Sequence, residues 1–234
     1  MSTEVQASIL GLRGIPLLDG ISTERLEALA RECAWRRYEP GQRIISRNGP
    51  ERDVYMIVAG RVRITFYSTA GRQVTFRDEE AGAILGDVAA VDDGPRSADA
   101  VALDGVLIAS LAPANFKRLL QQEPVVAERF MRRLTGLVRL LSERVIELST
   151  LGVQHRIHAE LLRLARLAEV DGNVARIAPA PKHADIASQV STYREQVTRE
   201  MSAMTKAGLL GKEPGALLVT DVSRLEQLVM ESRT

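Results

Sequence analysis

Cysteine is nearly absent: Cys33 is the single example in 234 residues. A lone thiol closes no internal disulfide and cannot supply a multi-thiolate iron–sulfur or zinc site. Aromatics are scarce, at 4%, which argues against a stacking platform for single-stranded nucleic acid. No run approaches 18 uninterrupted apolar residues, so neither a membrane span nor a membrane partner is expected. Residues 1–12 lack the basic stretch and apolar core of a secretory signal, and a cytoplasmic protein is expected. Net charge is lacking as well: 31 basic residues oppose 30 acidic ones, for a formal total of +1. Any DNA binding must therefore use a local patch. With 45% hydrophobic and 26% charged residues, global disorder is excluded. The length suits two domains of ~150 residues or less.

From about residue 35 to 111 the chain shows short apolar runs separated by glycine-containing turns. Residues Tyr55-Met56-Ile57-Val58 and the alternation Val62, Ile64, Phe66 are strand signals, and Ala70-Gly71 sits where a hairpin turns. Turns at intervals of about 8 to 12 residues point to a small β-barrel or jelly roll. Helices are expected on either side, over 22–33 and 113–122. A long helix follows, in which Phe130, Leu134, Leu137, Leu141, Val145 and Leu148 form a narrow apolar stripe. Arginines crowd its other faces (Arg132, Arg133, Arg139, Arg144). Packing on its own barrel is one reading of this stripe. A two-helix dimer seam fits its length and narrowness better. After Gly152 the chain turns mostly helical: a helix over 155–169 ending at Asp171-Gly172-Asn173, two short helices, a two-stranded ribbon over 208–220, and a closing helix over 221–230.

The most informative stretch runs from Leu85-Gly86-Asp87-Val88 to Gly94-Pro95-Arg96-Ser97-Ala98. Backbone N–H groups at a helix start, a guanidinium and a hydroxyl enclose a compact anion. Asp87 repels a free anion and needs another partner, such as a sugar hydroxyl; nucleoside phosphates supply both. Each piece alone is usually a turn or a helix cap, and the specificity lies in their combination. The stretch resembles the phosphate-binding cassette of cyclic nucleotide-binding domains, with its Gly-Glu-Leu, short helix and Arg-Ser-Ala. The barrel resembles that family too, in Tyr38-Glu39-Pro40-Gly41, Asn48-Gly49 and Ile57-Val58-Ala59-Gly60-Arg61-Val62. The resemblance implies that Arg96 and Ser97 hold a cyclic phosphate while Gly86 and Asp87, with Val88 beside them, take the ribose 2′-hydroxyl. Asp87 stands where the family usually has glutamate, one methylene longer. Arg96 is expected to be an exposed pocket arginine whose removal leaves the fold intact.

Farther on, Ile186, Val190 and Val197 are apolar, and Ala187 is small where two helices would cross. Ser191-Thr192 offers a turn and an N-cap. Arg194, Glu195 and Arg199 then project from the second helix, and such a trio reads guanine and cytosine edges in a major groove. A solvated helix face is the plain alternative. The unit resembles the winged helix-turn-helix of the cyclic AMP receptor/FNR family of bacterial transcription regulators, and with the barrel the resemblance spans roughly residues 15 to 225 in the family's domain order. It implies an α+β chain: an N-terminal β jelly-roll cyclic nucleotide-binding domain (1–123), a dimerisation helix (124–151) and a C-terminal winged helix-turn-helix (152–234). It further implies base reading by Arg194, Glu195 and Arg199, phosphate contacts by His183, Ala184, Tyr193 and Gln196, and a wing over 208–220. Ser191 replaces the glycine often found in the turn. Leu141 and Ser142 match the pair that meets the purine edge. The implied effector is cyclic AMP, with cyclic GMP also admitted. The implied partners are double-stranded DNA carrying a pseudo-palindrome, a second copy of the chain, and RNA polymerase.

No metal is expected: His155 and His158 are three apart on a helix, but no carboxylate–histidine set surrounds them, and a solvated or interhelical role is expected instead. Asp78-Glu79-Glu80 and Asp92-Asp93 read as loop charges. No Ser/His/Asp spacing, nucleophile elbow or P-loop appears, so no enzyme is expected. A haem, gas or redox sensor of the same family and a phosphodiesterase using the acidic loops are the alternative functions.

Overall fold

Turn-punctuated alternation builds the first half of the chain and helical periodicity the second. The computed structural model describes residues 9–67 and 73–231 and divides into two units between Leu137 and Val138. In the first unit, α1 (Ile9–Arg13), a 3-10 turn (Pro16–Leu18) and α2 (Thr23–Glu32) precede the strands. Ser22 caps α2, its Oγ accepting from the Arg25 N–H at 3.2 Å. Strands β1 (Ala34–Tyr38), β2 (Arg43–Ile45), β3 (Val54–Ala59), β4 (Arg61–Tyr67), β5 (Gln73–Glu80) and β6 (Ile84–Leu85) follow. The short α3 (Asp87–Asp92), β7 (Asp99–Ala102), β8 (Val106–Leu111), α4 (Pro113–Gln122) and α5 (Pro124–Thr150) complete the series. The Ala70-Gly71 turn lies outside the described residues.

Two antiparallel sheets form, in the orders β1-β8-β3-β6 and β2-β7-β4-β5, the double-sheet arrangement of a jelly roll. Side chains alternate between two cores. Tyr55 and Ile57 of β3 and Val106 and Ile108 of β8 join Ile44, Val62, Ile64 and Ala100 in one cluster. Val54 and Met56 of β3 and Ala109 and Leu111 of β8 turn the other way, onto Leu12, Leu29, Phe116 and Phe130 of the helices. Each large aliphatic chain so buried contributes about 1.5–3 kcal/mol. The acidic run Asp78-Glu79-Glu80 is on β5, not in a loop. Arg63 grips Asp78 with two 2.8 Å hydrogen bonds, and Arg77 donates to Glu79.

The long helix corrects the register of the expected seam. Phe130 belongs to its own unit's core, 5% exposed and edge-on to Phe116 at 5.4 Å. Besides Ile146, the exposed large apolar positions of α5 are Met131, Val138, Leu141, Val145 and Leu148, with half-buried Leu134 between them. Their spacing alternates between three and four residues, the repeat of a coiled-coil stripe. No helix among the described residues is long and apolar enough to cross a membrane.

The second unit holds the rest of α5 and then α6 (Val153–Leu167), β9 (Glu169–Asp171), β10 (Val174–Ile177), α7 (His183–Gln189) and α8 (Arg194–Lys206). It ends with β11 (Leu210–Glu213), β12 (Ala216–Val219) and α9 (Val222–Glu231). Asp171-Gly172-Asn173, expected as a helix stop, is instead the turn between β9 and β10, with Gly172 at φ +58. The ribbon β11–β12 therefore belongs to a four-stranded sheet, β11-β12-β10-β9. Ile157, Leu161, Ile186, Val197, Met201, Val219 and Leu225 form its core.

Candidate functional site

The cassette is built around one buried cation. Leu85 is buried and fixes the end of β6, and the chain then turns through Gly86 at φ +75, a conformation that favours glycine. A Cβ at Gly86 would lie 2.1 Å from Arg96 Nη1 and 2.8 Å from the Asp53 carbonyl oxygen, so the position is closed to any other residue. Arg96 is 4% exposed, which corrects the expected exposed pocket arginine. Its Nη1 donates to the Gly86 carbonyl and its Nη2 to the Asp53 carbonyl, each at 2.8 Å. Its Cζ lies 5.5 Å from the centre of the Tyr55 ring, within cation–π range. Desolvation draws the Arg96 pKa below its usual value, yet a guanidinium stays charged in proteins. Burial likewise pushes the Tyr55 phenol up, against the opposing pull of Arg96.

Asp87 is also buried, at 4% exposure. The partner that its charge demands is Arg133 of α5: Nε lies 3.4 Å from Asp87 Oδ2, and Nη2 donates to the Ile84 carbonyl at 2.7 Å. Arg133 thereby ties the cassette to α5. Val88 and Ser97 are exposed beside these groups. Leu141 and Ser142 lie past the division in α5, in the second unit, and both are exposed. The Ser142 hydroxyl donates to the Val138 carbonyl at 2.9 Å.

In the second unit, Ile186, Ala187, Val190 and Val197 are buried between α7 and α8. The Thr192 N–H donates to the Ala187 carbonyl at 2.9 Å and closes the turn, with Ser191 in the left-handed region at φ +54. The residue at the N-cap of α8 is Tyr193, without a side-chain cap bond, so the expected cap at Ser191-Thr192 is corrected. Arg194, Glu195, Gln196 and Arg199 are exposed on α8, as are Tyr193 and Ala184. His183 Nδ1 and Thr198 Oγ1 are 2.8 Å apart. Thr198 donates its own proton to the Arg194 carbonyl at 3.0 Å, so the ring Nδ1–H is the donor. Desolvation, then the charges of Arg194 and Lys212, hold the His183 pKa below the usual histidine range.

Helix α6 holds this motif in place. Arg156 donates to the carbonyls of Val190 at 3.0 Å and Leu151 at 2.9 Å. Buried His158 Nε2 lies 2.6 Å from Glu200 Oε1 on α8, an interhelical tie. Among the described residues, no group of three or more His, Cys, Asp or Glu is placed to hold a metal ion. Sequence reasoning missed Asp53, Tyr55, Arg133 and Arg156, and, having left a solvated or interhelical role for His158, it missed Glu200 as the partner. Arg133 alone carried a signal, as one of the arginines read as covering the outer faces of the long helix.

Residues 35–123 match the model of the cyclic nucleotide-binding domain, and residues 155–228 match that of the Crp-like helix-turn-helix domain. The chain belongs to the CRP/FNR family of transcription regulators. The cyclic AMP receptor protein of Thermus thermophilus is 26% identical to it, over 93% of this chain and 98% of the relative. A CooA mutant from Carboxydothermus hydrogenoformans shares the fold with a TM-score of 0.78 at 18% identity, covering 98% of each chain. The c-di-GMP responsive regulator CLP of Xanthomonas campestris shares it with a TM-score of 0.72 at 17% identity, over 85% of this chain and 99% of that one. This CRP/FNR member thus joins a small-molecule-binding domain to a DNA-binding one. It is a non-catalytic regulator, and the phosphodiesterase reading falls.

Replacing Arg96 in this regulator should cost stability as well as ligand. Arg96→Ala orphans two carbonyls, at about 1–3 kcal/mol each where water cannot reach them. Thermal denaturation without ligand should show the first unit melting several degrees lower. An unchanged melting curve would show that the clamp is not structural.

Proposed function

We propose that this regulator is gated by a cyclic nucleotide held in the cassette, with cyclic AMP as the first candidate. The Arg96 clamp carries the reading: a buried guanidinium, two of its five donors spent on carbonyls, stands between a left-handed glycine and the exposed Ser97 hydroxyl. In this reading Arg96 and Ser97 take the cyclic phosphate, and Gly86 and Asp87 the ribose hydroxyl. Arg133 offsets the charge of Asp87, and this makes a carboxylate tolerable beside an anion. Family resemblance assigns the purine to Leu141 and Ser142. The Ser142 proton is committed to Val138, so the hydroxyl accepts from an amino group more readily than it donates to a carbonyl. That ordering favours adenine over guanine.

The apolar stripe Met131, Leu134, Val138, Leu141, Val145 and Leu148 is the surface that a second copy covers. A two-fold dimer then presents Arg194, Glu195 and Arg199 to two half-sites about one helical turn, ~34 Å, apart. His183, Ala184, Tyr193 and Gln196 contact phosphates, and RNA polymerase is the partner through which transcription responds. Redox sensing requires a reactive thiolate, and burial, with Glu32 adding to it, pushes the Cys33 thiol up to about 12.

Calorimetric titration tests the effector. Cyclic AMP should bind, and cyclic GMP should bind more weakly, within the roughly 100-fold spanned by one or two hydrogen bonds of ~1–1.5 kcal/mol. Ser97→Ala should weaken both. A wild-type protein that binds neither nucleotide at millimolar concentration would remove the reading.

DNA binding should depend on pH through His183. In the free protein the ring is held neutral, its Nδ1–H given to Thr198, so Nε2 donates to a phosphate only once protonated. Phosphate raises the pKa that burial lowers, and proton uptake accompanies binding. Affinity should therefore rise as pH falls from the His183 pKa of the complex toward the lowered pKa of the free protein, and level off below it, and His183→Gln should flatten that part of the profile. Parallel profiles for the two proteins would exclude His183 from the phosphate contacts.

A further inference from the structure

A cavity in the first unit, away from the cassette, carries charge of mostly one sign along its walls. It measures about 380 Å³, and Pro16, Asp19, Gly82, Arg129, Arg132 and Arg133 contribute to its walls. Three guanidinium groups from one stretch of α5 thus border a space with one carboxylate, Asp19. Arg132 is offset by Glu128, 2.6 Å away, in an exposed pair, which is worth little in water. Arg129 is different. Its Nη1 is buried and has no hydrogen-bond partner among the described residues, and Gly20 packs beside it: a Cβ there would lie 3.9 Å from both Nη1 and Nη2. A buried cationic donor without an acceptor is a costly arrangement, and an oxyanion in the cavity relieves it. Arginine presents paired donors to phosphate in a geometry that lysine cannot reproduce.

We propose that this cavity is a second ligand site, separate from the cassette, which takes a small phosphate ester bearing a hydroxyl group. Arg129 and Arg132 hold the phosphate, and Asp19 accepts from the hydroxyl. The site stays open in a dimer: Arg129, Arg132 and Arg133 fall off the apolar stripe of Met131, Leu134 and Val138 on α5. Arg133 gives it a consequence. The same guanidinium borders the cavity and binds Asp87 and the Ile84 carbonyl. A phosphate that draws on Arg133 competes with Asp87, so occupancy of the cavity alters nucleotide affinity, and reciprocally by the same factor. The binding stands on the cavity alone; this coupling rests on the cassette reading.

Calorimetry of the full chain at low salt tests both, with glycerol 3-phosphate, inorganic phosphate and glycerol as probes. The wild type should bind glycerol 3-phosphate more tightly than inorganic phosphate, and glycerol not at all. R129Q and R132Q should each weaken the ester roughly tenfold or more. D19N should narrow the advantage of the ester over phosphate, and S97A should leave ester binding unchanged. The Arg132 side chain is 78% exposed, so R132Q decides the matter even where R129Q disturbs folding. No binding by the wild type at millimolar ester, or full binding by R132Q, overturns the site. Loss of ester binding in S97A also overturns it, by placing the anion in the cassette. Cyclic AMP affinity should shift at least severalfold in saturating ester. An unchanged affinity overturns the coupling while leaving the site, and a chain that binds the ester but no cyclic AMP separates the failure of the cassette reading from that of this one.

Discussion

The binding end of the first unit depends on one buried positive charge. A guanidinium withdrawn from water must find acceptors, and Arg96 finds them in the carbonyls of Gly86 and Asp53, 10 and 43 residues away in sequence. That demand fixes the rest of the cassette. The Gly86 carbonyl can face the guanidinium only if the chain turns through positive φ and carries no Cβ, and α3 begins directly after this turn. The loop before β3 is held at Asp53, and the Tyr55 ring lies under the guanidinium. One residue is thus both a structural tie and the anchor assigned to an anion, so substituting it removes both roles at once.

Each unit carries its own set of polar ties along the helices. In the first, Arg133 of α5 binds Asp87 and the Ile84 carbonyl. In the second, Arg144 of α5 pairs with Glu160 of α6 and Arg163 of α6 with Glu147 of α5, fastening α6 to the later turns of α5. Helix α6 in turn holds the DNA-reading motif through Arg156 and through His158 with Glu200. For a ligand to switch such a protein it must favour the DNA-competent arrangement by several kcal/mol over the other.

Much of this was legible in the sequence, because local patterns carried it. Alternation gave the strands of the roll, and Pro113 marks the first residue of α4. The Gly86 to Ser97 spacing pointed to a tight turn, a short helix and an arginine that the fold brings together, and the pattern from Arg194 to Arg199 pointed to a helix whose polar side chains are exposed. What was not legible depends on partners distant in sequence. Asp53 and Tyr55 looked like ordinary loop and strand residues, because their role is set by a guanidinium some 40 positions away. The exposure of Arg96 was misjudged for the same reason. In α5, stripes beginning at Phe130 and at Met131 share nearly the same period, so periodicity alone could not say that Phe130 serves its own core. Asp171-Gly172-Asn173 suits a helix stop and a hairpin turn equally well, and only pairing across the sheet distinguishes them.

The central claim is that a nucleotide in the cassette governs DNA binding. The most direct measurement is the affinity of the full chain for a two-fold symmetric site obtained by binding-site selection, at one fixed salt concentration, with and without saturating cyclic AMP. The account predicts that cyclic AMP tightens binding by roughly 100-fold or more, the response to a ligand that favours one state by about 3 kcal/mol or more. Equal affinity in the two conditions would contradict it.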